Sequence, residues 1–164
     1  MEFLLMALII DIAKIPPGGM HLSGAISPAE LDVECEGVAA KGDLAYDLDV
    51  EVVSSEFLAR GRLHIPLEFT CSRCLKPFAA RINVDRFTYS QRVKGIETID
   101  LTGNLREDII IALPIKPLCA RTCKGLCAHC GKDLNLERCS CALRRDDARW
   151  SALEGLKFPP EKKE

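Results

Sequence analysis

Cysteine carries the clearest chemical signal in this chain of 164 residues. Six of the nine cysteines lie between Cys119 and Cys141, several of them only two to four positions apart. Such spacing brings sulfurs to one point, which suits a soft tetrahedral cation such as Zn²⁺ better than it suits a packed core. We therefore predict two zinc ions, each bound by four thiolates. The predicted ligands are Cys71, Cys74, Cys119, Cys123, Cys127, Cys130, Cys139 and Cys141.

Three short motifs set the expected geometry of these ligands. Residues 127–131 read Cys-Ala-His-Cys-Gly, the pattern of a zinc knuckle, in which glycine tolerates the positive φ of the turn after the second cysteine. His129 within it could replace a thiolate, but we expect it to be an exposed loop residue. In the Cys-Ser-Cys of 139–141 both thiols project from the same side of an extended chain. An earlier CxxC pair is formed by Cys71 and Cys74.

The sequence leaves two ways of dividing the eight thiols between two ions. In the favoured division one ion binds the four cysteines of 127–141, and the other binds the earlier CxxC pair with the two cysteines of 119–123. The alternative places the four cysteines of 119–130 together, which needs only local loops and therefore costs less closure entropy. It leaves the earlier CxxC pair to reach the two cysteines of 139–141.

The same residues argue against catalysis. Catalytic zinc keeps an open coordination position, whereas a site of four cysteines is closed. Residues 123–130 have the CxxxCxxC spacing of radical-SAM enzymes, but those enzymes need a large α/β barrel with the motif near its start. An odd number of cysteines without an export signal favours a reducing cytosol. We predict a non-enzymatic cytoplasmic protein in which the remaining Cys35 is a small apolar residue.

Hydrophobic alternation predicts a long antiparallel hairpin that carries the earlier CxxC pair. Residues 44–52 alternate apolar and acidic side chains, and residues 57–69 alternate apolar side chains with mostly charged ones. Ser54-Ser55 is the expected turn between these strands. Pro66 within the second strand suggests that this strand lies at a sheet edge or contains a bulge there. The alternation resumes at Phe78, which places the CxxC pair at the hairpin tip.

Helical segments are fewer. An apolar run at 3–10 is expected to be a first buried strand, and a capping box at 27–30 predicts a short helix. Residues 100–113 predict a longer helix that Pro114 ends. The inner face of this helix is expected to contain Leu101, Leu105, Ile109 and Ala112. A final helix is expected around 147–156.

These elements together predict an α+β protein. Residues 1–113 are expected to form an antiparallel β-rich domain with a long hairpin and one central helix. Residues 114–164 are expected to form a cysteine-rich, zinc-ribbon-like region that ends in a short helix. The shared metal sites would make the two regions one integrated unit.

Charge is distributed unevenly along the chain. Residues 30–56 hold nine acidic residues and one lysine, whereas residues 57–94 have a net charge of +6 and residues 114–145 a net charge of +5. Two zinc ions with eight thiolates would add −4 and leave the two basic segments at +7. A basic face of this kind is an electrostatic footprint for RNA. The predicted nucleic-acid contacts are Arg73, Lys76, Arg121 and Lys124.

Several motifs are similar to those of a known family. They are the earlier CxxC pair, the helix end at 105–114, the cysteine run at 117–141 and the closing segment at 147–153, where Ala148 replaces an expected proline. With these motifs the chain resembles the YceD-like large-ribosomal-RNA accumulation proteins of bacteria and plastids. The resemblance implies a non-enzymatic cytoplasmic protein that large-subunit ribosomal RNA needs for its processing or persistence.

Two functions stay open from the sequence. One is direct docking on precursor ribosomal RNA or on an assembling large subunit, with the acidic segment meeting a basic ribosomal protein. The other is a zinc-stabilised protein-interaction module without RNA contact, whose basic residues only balance the thiolates. Neither involves a membrane or a small-molecule substrate.

Overall fold

The computed structural model describes residues 7–33 and 35–141 of the chain. These residues form mostly antiparallel β-structure with two α-helices, which is compatible with the predicted α+β class. The elements in chain order are β1 (Ile9–Asp11), a 3₁₀ turn (Ile12–Lys14), β2 (Met20–Ile26), α1 (Pro28–Leu31), β3 (Val38–Ala40), β4 (Leu44–Val53), β5 (Glu56–Thr70), β6 (Pro77–Arg92), β7 (Thr98–Asp100) and α2 (Thr102–Ala112). The predicted helix at 147–156 lies outside the described residues.

A five-stranded antiparallel sheet organises the fold, with β5 at its centre. On one side β5 pairs with β6, and on the other side it pairs first with β4 and then with β3. Strand β2 adds to the far side of β4, whereas β1 and β7 form a separate two-stranded sheet. Among the described residues, no helix is long and apolar enough to cross a lipid bilayer.

The alternation in β4 and β5 builds the core as predicted. The buried side chains of these two strands are Leu44, Leu48, Val50, Phe57, Ala59, Leu63, Ile65, Leu67 and Phe69. They share one cluster with Leu101, Leu105 and Ile109 of the α2 region. Ala112 is exposed, so its predicted place on the inner face is wrong. The helix ends at this residue, because Leu113 is extended (ψ 136°) in front of Pro114.

A β-bulge in β6 changes which of its side chains face the core. Gly61 pairs with Phe87 but Leu63 pairs with Val84, so β6 contains one extra residue at 85–86. Even-numbered side chains up to Val84 point inward, and beyond the bulge Phe87 takes the buried position. The sequence alternation predicts the first half of β6 and does not reveal this change of phase.

Pro66 lies in the central strand, so its predicted place at an edge or bulge is wrong. The β4 pairing of β5 ends at His64, and the β3 pairing begins at Leu67. Pro66 therefore falls in the gap between two neighbouring strands, where its missing N–H costs no ladder hydrogen bond. Its carbonyl is used, because it accepts a hydrogen bond from the Lys41 N–H (3.0 Å).

Several smaller predictions change in the structure. The first strand is short, because within the described part of 3–10 only Ile9 and Ile10 are extended, and Ile9 is 60 % exposed. The short helix does begin at Pro28, although the side chain of Ser27 makes no capping hydrogen bond. Cys35, which the sequence treats as a small apolar residue, is exposed and forms an isolated bridge with Val38 at the start of β3.

Candidate metal centres

The eight clustered cysteines form two groups of four. Site 1 consists of Cys71, Cys74, Cys119 and Cys123, and site 2 consists of Cys127, Cys130, Cys139 and Cys141. Within each group the four Sγ atoms lie within 4.8 Å of one another, so both groups are positioned to hold a metal ion. The favoured division of the cysteines is therefore the one found in the structure, because site 1 joins the hairpin tip to residues 119–123. The alternative, in which the four cysteines of 119–130 form one site, is not found.

The first two cysteines of each site lie in turns with matching hydrogen bonds. The Leu75 N–H donates to the Cys71 carbonyl (2.9 Å), and the Gly131 N–H donates to the Cys127 carbonyl (2.9 Å). The residue after the second cysteine has a positive φ in both turns, 57° at Leu75 and 71° at Gly131. The sequence predicts this conformation at Gly131, whereas leucine gives no signal for it.

Site 1 is the more enclosed of the two. Three of its thiols are almost fully buried, at 0 % exposure for Cys71 and 4 % for both Cys74 and Cys123. The side chains of Phe78 and Leu118 pack against this group. The sulfur–sulfur distances are 3.9 Å between Cys71 and Cys123 and 3.7 Å between Cys74 and the exposed Cys119.

Site 2 lies nearer to solvent. Cys127 is buried, Cys130 is exposed, and the other two thiols are partly exposed. The Cys127 and Cys139 sulfurs are 3.4 Å apart. His129 is exposed in the knuckle loop, where the sequence places it.

Backbone N–H groups and neighbouring thiols shift the cysteine pKa values in opposite directions. The Cys119 N–H contributes most to lowering the pKa of Cys71 to about 6, and the Cys130 N–H does the same for Cys127, also to about 6. Hydrogen bonding with Cys71 raises the pKa of Cys119 to about 12, and hydrogen bonding with Cys130 raises that of Cys141 to about 12. Four sulfurs this close do not all ionise unaided, whereas a bound cation favours the thiolate form of each.

Arg73 joins the hairpin tip to the cysteine-rich segment. Its guanidinium donates to the Cys123 carbonyl (2.7 Å), and its own carbonyl accepts from the Leu126 N–H (3.0 Å). Gly125 (φ 76°) passes so close that a Cβ there would lie 2.8 Å from the Arg73 carbonyl oxygen. Arg73 is exposed, and its side chain has this internal bond; its predicted nucleic-acid contact stays a prediction.

Lys76 and Asn135 form a second connection between the two sites. The Lys76 ammonium pairs with Asp133 (2.7 Å), and this lysine is the main cause that lowers the Asp133 pKa to about 2. Asn135 donates to Asp133 (2.7 Å) and to the Cys123 sulfur (3.5 Å). The segment after the site 2 knuckle therefore supports a ligand of site 1.

The other two predicted nucleic-acid contacts have free side chains. Arg121 and Lys124 are both exposed, and within residues 7–33 and 35–141 neither forms an ion pair. The Lys124 main-chain N–H is fixed by Asn135 (2.8 Å), which holds this residue next to site 1. The structure thus separates the four predicted contacts into two internally bonded residues and two free ones.

The acidic segment lies closer to basic residues than the linear sequence suggests. In the register of β4 and β5, Asp47 lies opposite Arg62 and Asp49 lies opposite Arg60, on the solvent face of the sheet. His21 on β2 also bonds Asp49 (3.0 Å), and this hydrogen bond raises the pKa of His21. The acidic strand therefore offsets part of the charge on the neighbouring strand.

Comparison with known proteins extends this description. The profile of the family described as Large ribosomal RNA subunit accumulation protein YceD matches residues 59–157, a stretch that includes most of β5, all of β6 and both cysteine sites. The chain belongs to the YceD family. The family description names the accumulation of large-subunit ribosomal RNA and no catalytic activity.

Two mycobacterial relatives cover most of the chain, and a plastid relative covers less than half of it. An uncharacterized protein of Mycobacterium tuberculosis is 32% identical over 169 residues, covering 92% of this chain and 81% of that protein. An uncharacterized protein of Mycobacterium leprae is 31% identical over 148 residues, covering 81% and 68%. The Large ribosomal RNA subunit accumulation protein YCED homolog 1, chloroplastic, of Arabidopsis thaliana is 29% identical over 69 residues, covering 42% of this chain and 22% of that protein. No solved structure matches the chain.

Proposed function

We propose that this protein is a non-enzymatic, cytoplasmic zinc protein that supports the processing or accumulation of large-subunit ribosomal RNA. In this proposal it docks on precursor ribosomal RNA or on an assembling large subunit. Membership of the YceD family supports the ribosomal role. The observation that carries the docking role is the geometry of site 1, which connects the hairpin tip to the basic segment bearing Arg121 and Lys124.

The sulfur geometry supports zinc as the ion in site 1, and site 2 offers the same set of four cysteines. A Zn–S distance of about 2.3 Å places the sulfurs of a tetrahedron about 3.8 Å apart. Two sulfur pairs of site 1 are 3.7 and 3.9 Å apart, and all four sulfurs lie within 4.8 Å of one another, so only small adjustments are needed to bind the ion there. Mass spectrometry of the intact protein would measure the metal, and we expect two zinc ions per chain; iron, or no metal in folded protein, would contradict this part of the proposal.

Four thiolates complete the coordination of zinc, which supports a structural role. A closed site leaves no position for a reacting water or substrate. Structural zinc contributes an apparent ~10–16 kcal/mol in small peptides, comparable with the stability of a whole domain. The ions would therefore fix the path of residues 114–141 against the hairpin and so hold the basic side chains in place.

Salt-dependent RNA binding is the direct test of the docking role. We expect affinity for large-subunit ribosomal RNA fragments to fall steeply with salt. Replacing Arg121 and Lys124 by glutamine should reduce the slope of log affinity against log salt by about 1.4, since each lost phosphate contact of single-stranded RNA removes about 0.7. A control with Lys14 and Lys94 replaced by glutamine removes the same charge elsewhere. An equal reduction of the slope in both variants would show that only the total charge of the protein matters, which would contradict docking at the tip.

A protein-interaction module is the second candidate function, and two exposed isoleucines favour it. Ile111 at the end of α2 is 80 % exposed, and Ile115 in the following connector is 96 % exposed. The two residues are four positions apart in the chain, and contiguous exposed apolar surface is typical of interfaces. If the zinc-loaded protein binds no RNA, but binds assembling large subunits in a way that replacing Ile111 and Ile115 by serine abolishes, this second function replaces the first.

A further inference from the structure

The bulge of β6 gathers three arginines into one depression on the solvent face of the sheet. Arg60 and Arg62 come from β5, and Arg86 is one of the two bulge residues of β6. They line a shallow depression of about 350 Å³, whose other charged side chains are Asp49 and Asp85. If the alternation of the first half of β6 continued without a bulge, position 86 would have the inward phase and Arg86 would point toward the core.

The three guanidinium groups form no ion pairs with the carboxylates beside them in the part of the chain that the structure describes. Among the described residues, none of the three has a carboxylate oxygen within 4.0 Å. Asp49, the acid opposite Arg60, is instead hydrogen-bonded to His21 (3.0 Å). The residues that line the depression carry three positive and two negative charges, which leaves one positive charge for a single phosphodiester; Asp47, opposite Arg62, lies outside the lining.

We propose that this depression binds a backbone phosphate of RNA, as a second contact beyond the hairpin tip. The inference rests on the proposed RNA-docking function and adds to it a place and a chemistry. Guanidinium groups present paired N–H donors that match two phosphate oxygens, which makes arginine well suited to this ligand. A contact to a backbone phosphate carries no sequence information, so the proposed contact is independent of sequence.

The distance to the tip defines the length of RNA that reaches both contacts. From Gly61 to Thr70, β5 advances nine residues, or about 30 Å at roughly 3.3 Å per residue. A stacked, helical strand advances about 3.4 Å along its axis per phosphate and needs roughly nine nucleotides to span this distance, whereas an extended strand needs fewer. Arg81, exposed on β6 between the two places and opposite Pro66, lies along that path.

The test compares two sets of charge removals in the full-length, zinc-loaded protein. The first variant replaces Arg60, Arg62 and Arg86 by glutamine. The matched control replaces Lys14, Arg92 and Lys94, which also removes three positive charges; Lys14 is paired with Asp11, and Arg92 lies opposite Glu56. Measurements of zinc content and of thermal unfolding would establish that both variants fold. The probe is labelled oligouridylate of 24 nucleotides.

We expect the first variant to lower the salt slope by about 0.7, which is about a fivefold loss of affinity at 0.1 M salt when the line is extended to 1 M. The control should stay within about twofold of the parent protein. Replacing the same three arginines by lysine keeps the charge and loses the paired donors, so it should recover only part of the affinity. Equal affinity losses in the first variant and the control would overturn the proposal.

A second measurement separates this inference from the docking function. Inorganic phosphate titrated into the protein should shift the Nε–Hε NMR signals of Arg60, Arg62 and Arg86 more than that of Arg92. If the protein binds no RNA but shows these shifts, the anion site stands and the docking function fails. If RNA binding depends on Arg121 and Lys124 but neither the shifts nor the affinity loss of the first variant is seen, the depression is not a phosphate site and the docking function stands.

Discussion

Replacing Asn135 by alanine should weaken metal binding at site 1, although Asn135 follows the knuckle of site 2. Its side-chain amide donates to the Cys123 sulfur (3.5 Å) and to Asp133 (2.7 Å), and its side-chain oxygen accepts from the Lys124 N–H (2.8 Å). Alanine removes all three hydrogen bonds. The ligand Cys123 then loses a donor that stabilises its thiolate, and the chain that follows it loses its attachment.

The expected size of this effect follows from the hydrogen bonds lost. Asn135 is exposed, so each bond is assigned the lower part of the usual range, about 0.5–1 kcal/mol, for a total of about 2 kcal/mol. One factor of ten in affinity corresponds to about 1.4 kcal/mol, which gives roughly a 30-fold loss of zinc affinity at site 1. This lies within the 10- to 100-fold range typical of residues that support metal ligands.

Competition with a chromophoric zinc chelator would measure the two binding constants, and substitution with cadmium-113 would assign the changed site by NMR. Asn83, an exposed asparagine of β6 with no side-chain hydrogen bond in the described structure, is the matched control when replaced by alanine. We expect the control to bind both ions as the parent does. If the Asn135 variant weakens only site 2, or neither site, the proposed support of Cys123 is wrong.

Three further predictions concern the hairpin and its tip. Leu75→Gly should stabilise the protein by about 0.5–1 kcal/mol in urea unfolding. Leucine at positive φ costs about 1–2 kcal/mol, and the larger conformational entropy that glycine loses on folding offsets part of this gain. Gly131→Leu should destabilise the protein. Gly61→Ala should cost about 3 kcal/mol, since its Cβ would collide with the β4 backbone, and an unchanged urea midpoint would contradict this register. The pKa of Asp133 is lowered to about 2 from 3.8, so its contribution to stability is present above pH 3.8 and is lost as the pH falls through 2; an NMR titration should show that Lys76→Met moves this pKa upward.

Period-2 alternation was sufficient to predict β4 and β5 because each has one face that is mostly buried. A shift of one residue in either strand would move every apolar side chain into water, so the pattern in the sequence and the register in the sheet agree. The spacing of the cysteines likewise predicted the two knuckles, since the turn after each CxxC pair is local. Ser54 and Ser55 form the predicted hairpin turn, both with positive φ.

The elements that the sequence did not reveal depend on distant partners. Strand β2 alternates weakly, and its position is set by pairing with β4. The pairing of β1 with β7 joins segments about ninety residues apart, and no local pattern encodes it. The internal bonds of Arg73 and Lys76 also arise only after the tip has met residues 123–133, which is why charge alone placed them among the nucleic-acid contacts.

The division of the cysteines shows why local entropy did not decide the metal sites. Closing a loop of 45 residues between Cys74 and Cys119, rather than one of four residues, costs about 2 kcal/mol more in a flexible chain. In the folded protein β6, β7 and α2 fill this loop, and the packing of α2 residues with Phe87 in one core cluster already returns the chain toward the hairpin. The core therefore closes most of the loop before any metal binds, and the entropic advantage of the local grouping disappears. What remains to decide the pairing is the direction of the thiols, and the burial of Cys71, Cys74 and Cys123 in one cluster favours the long-range site.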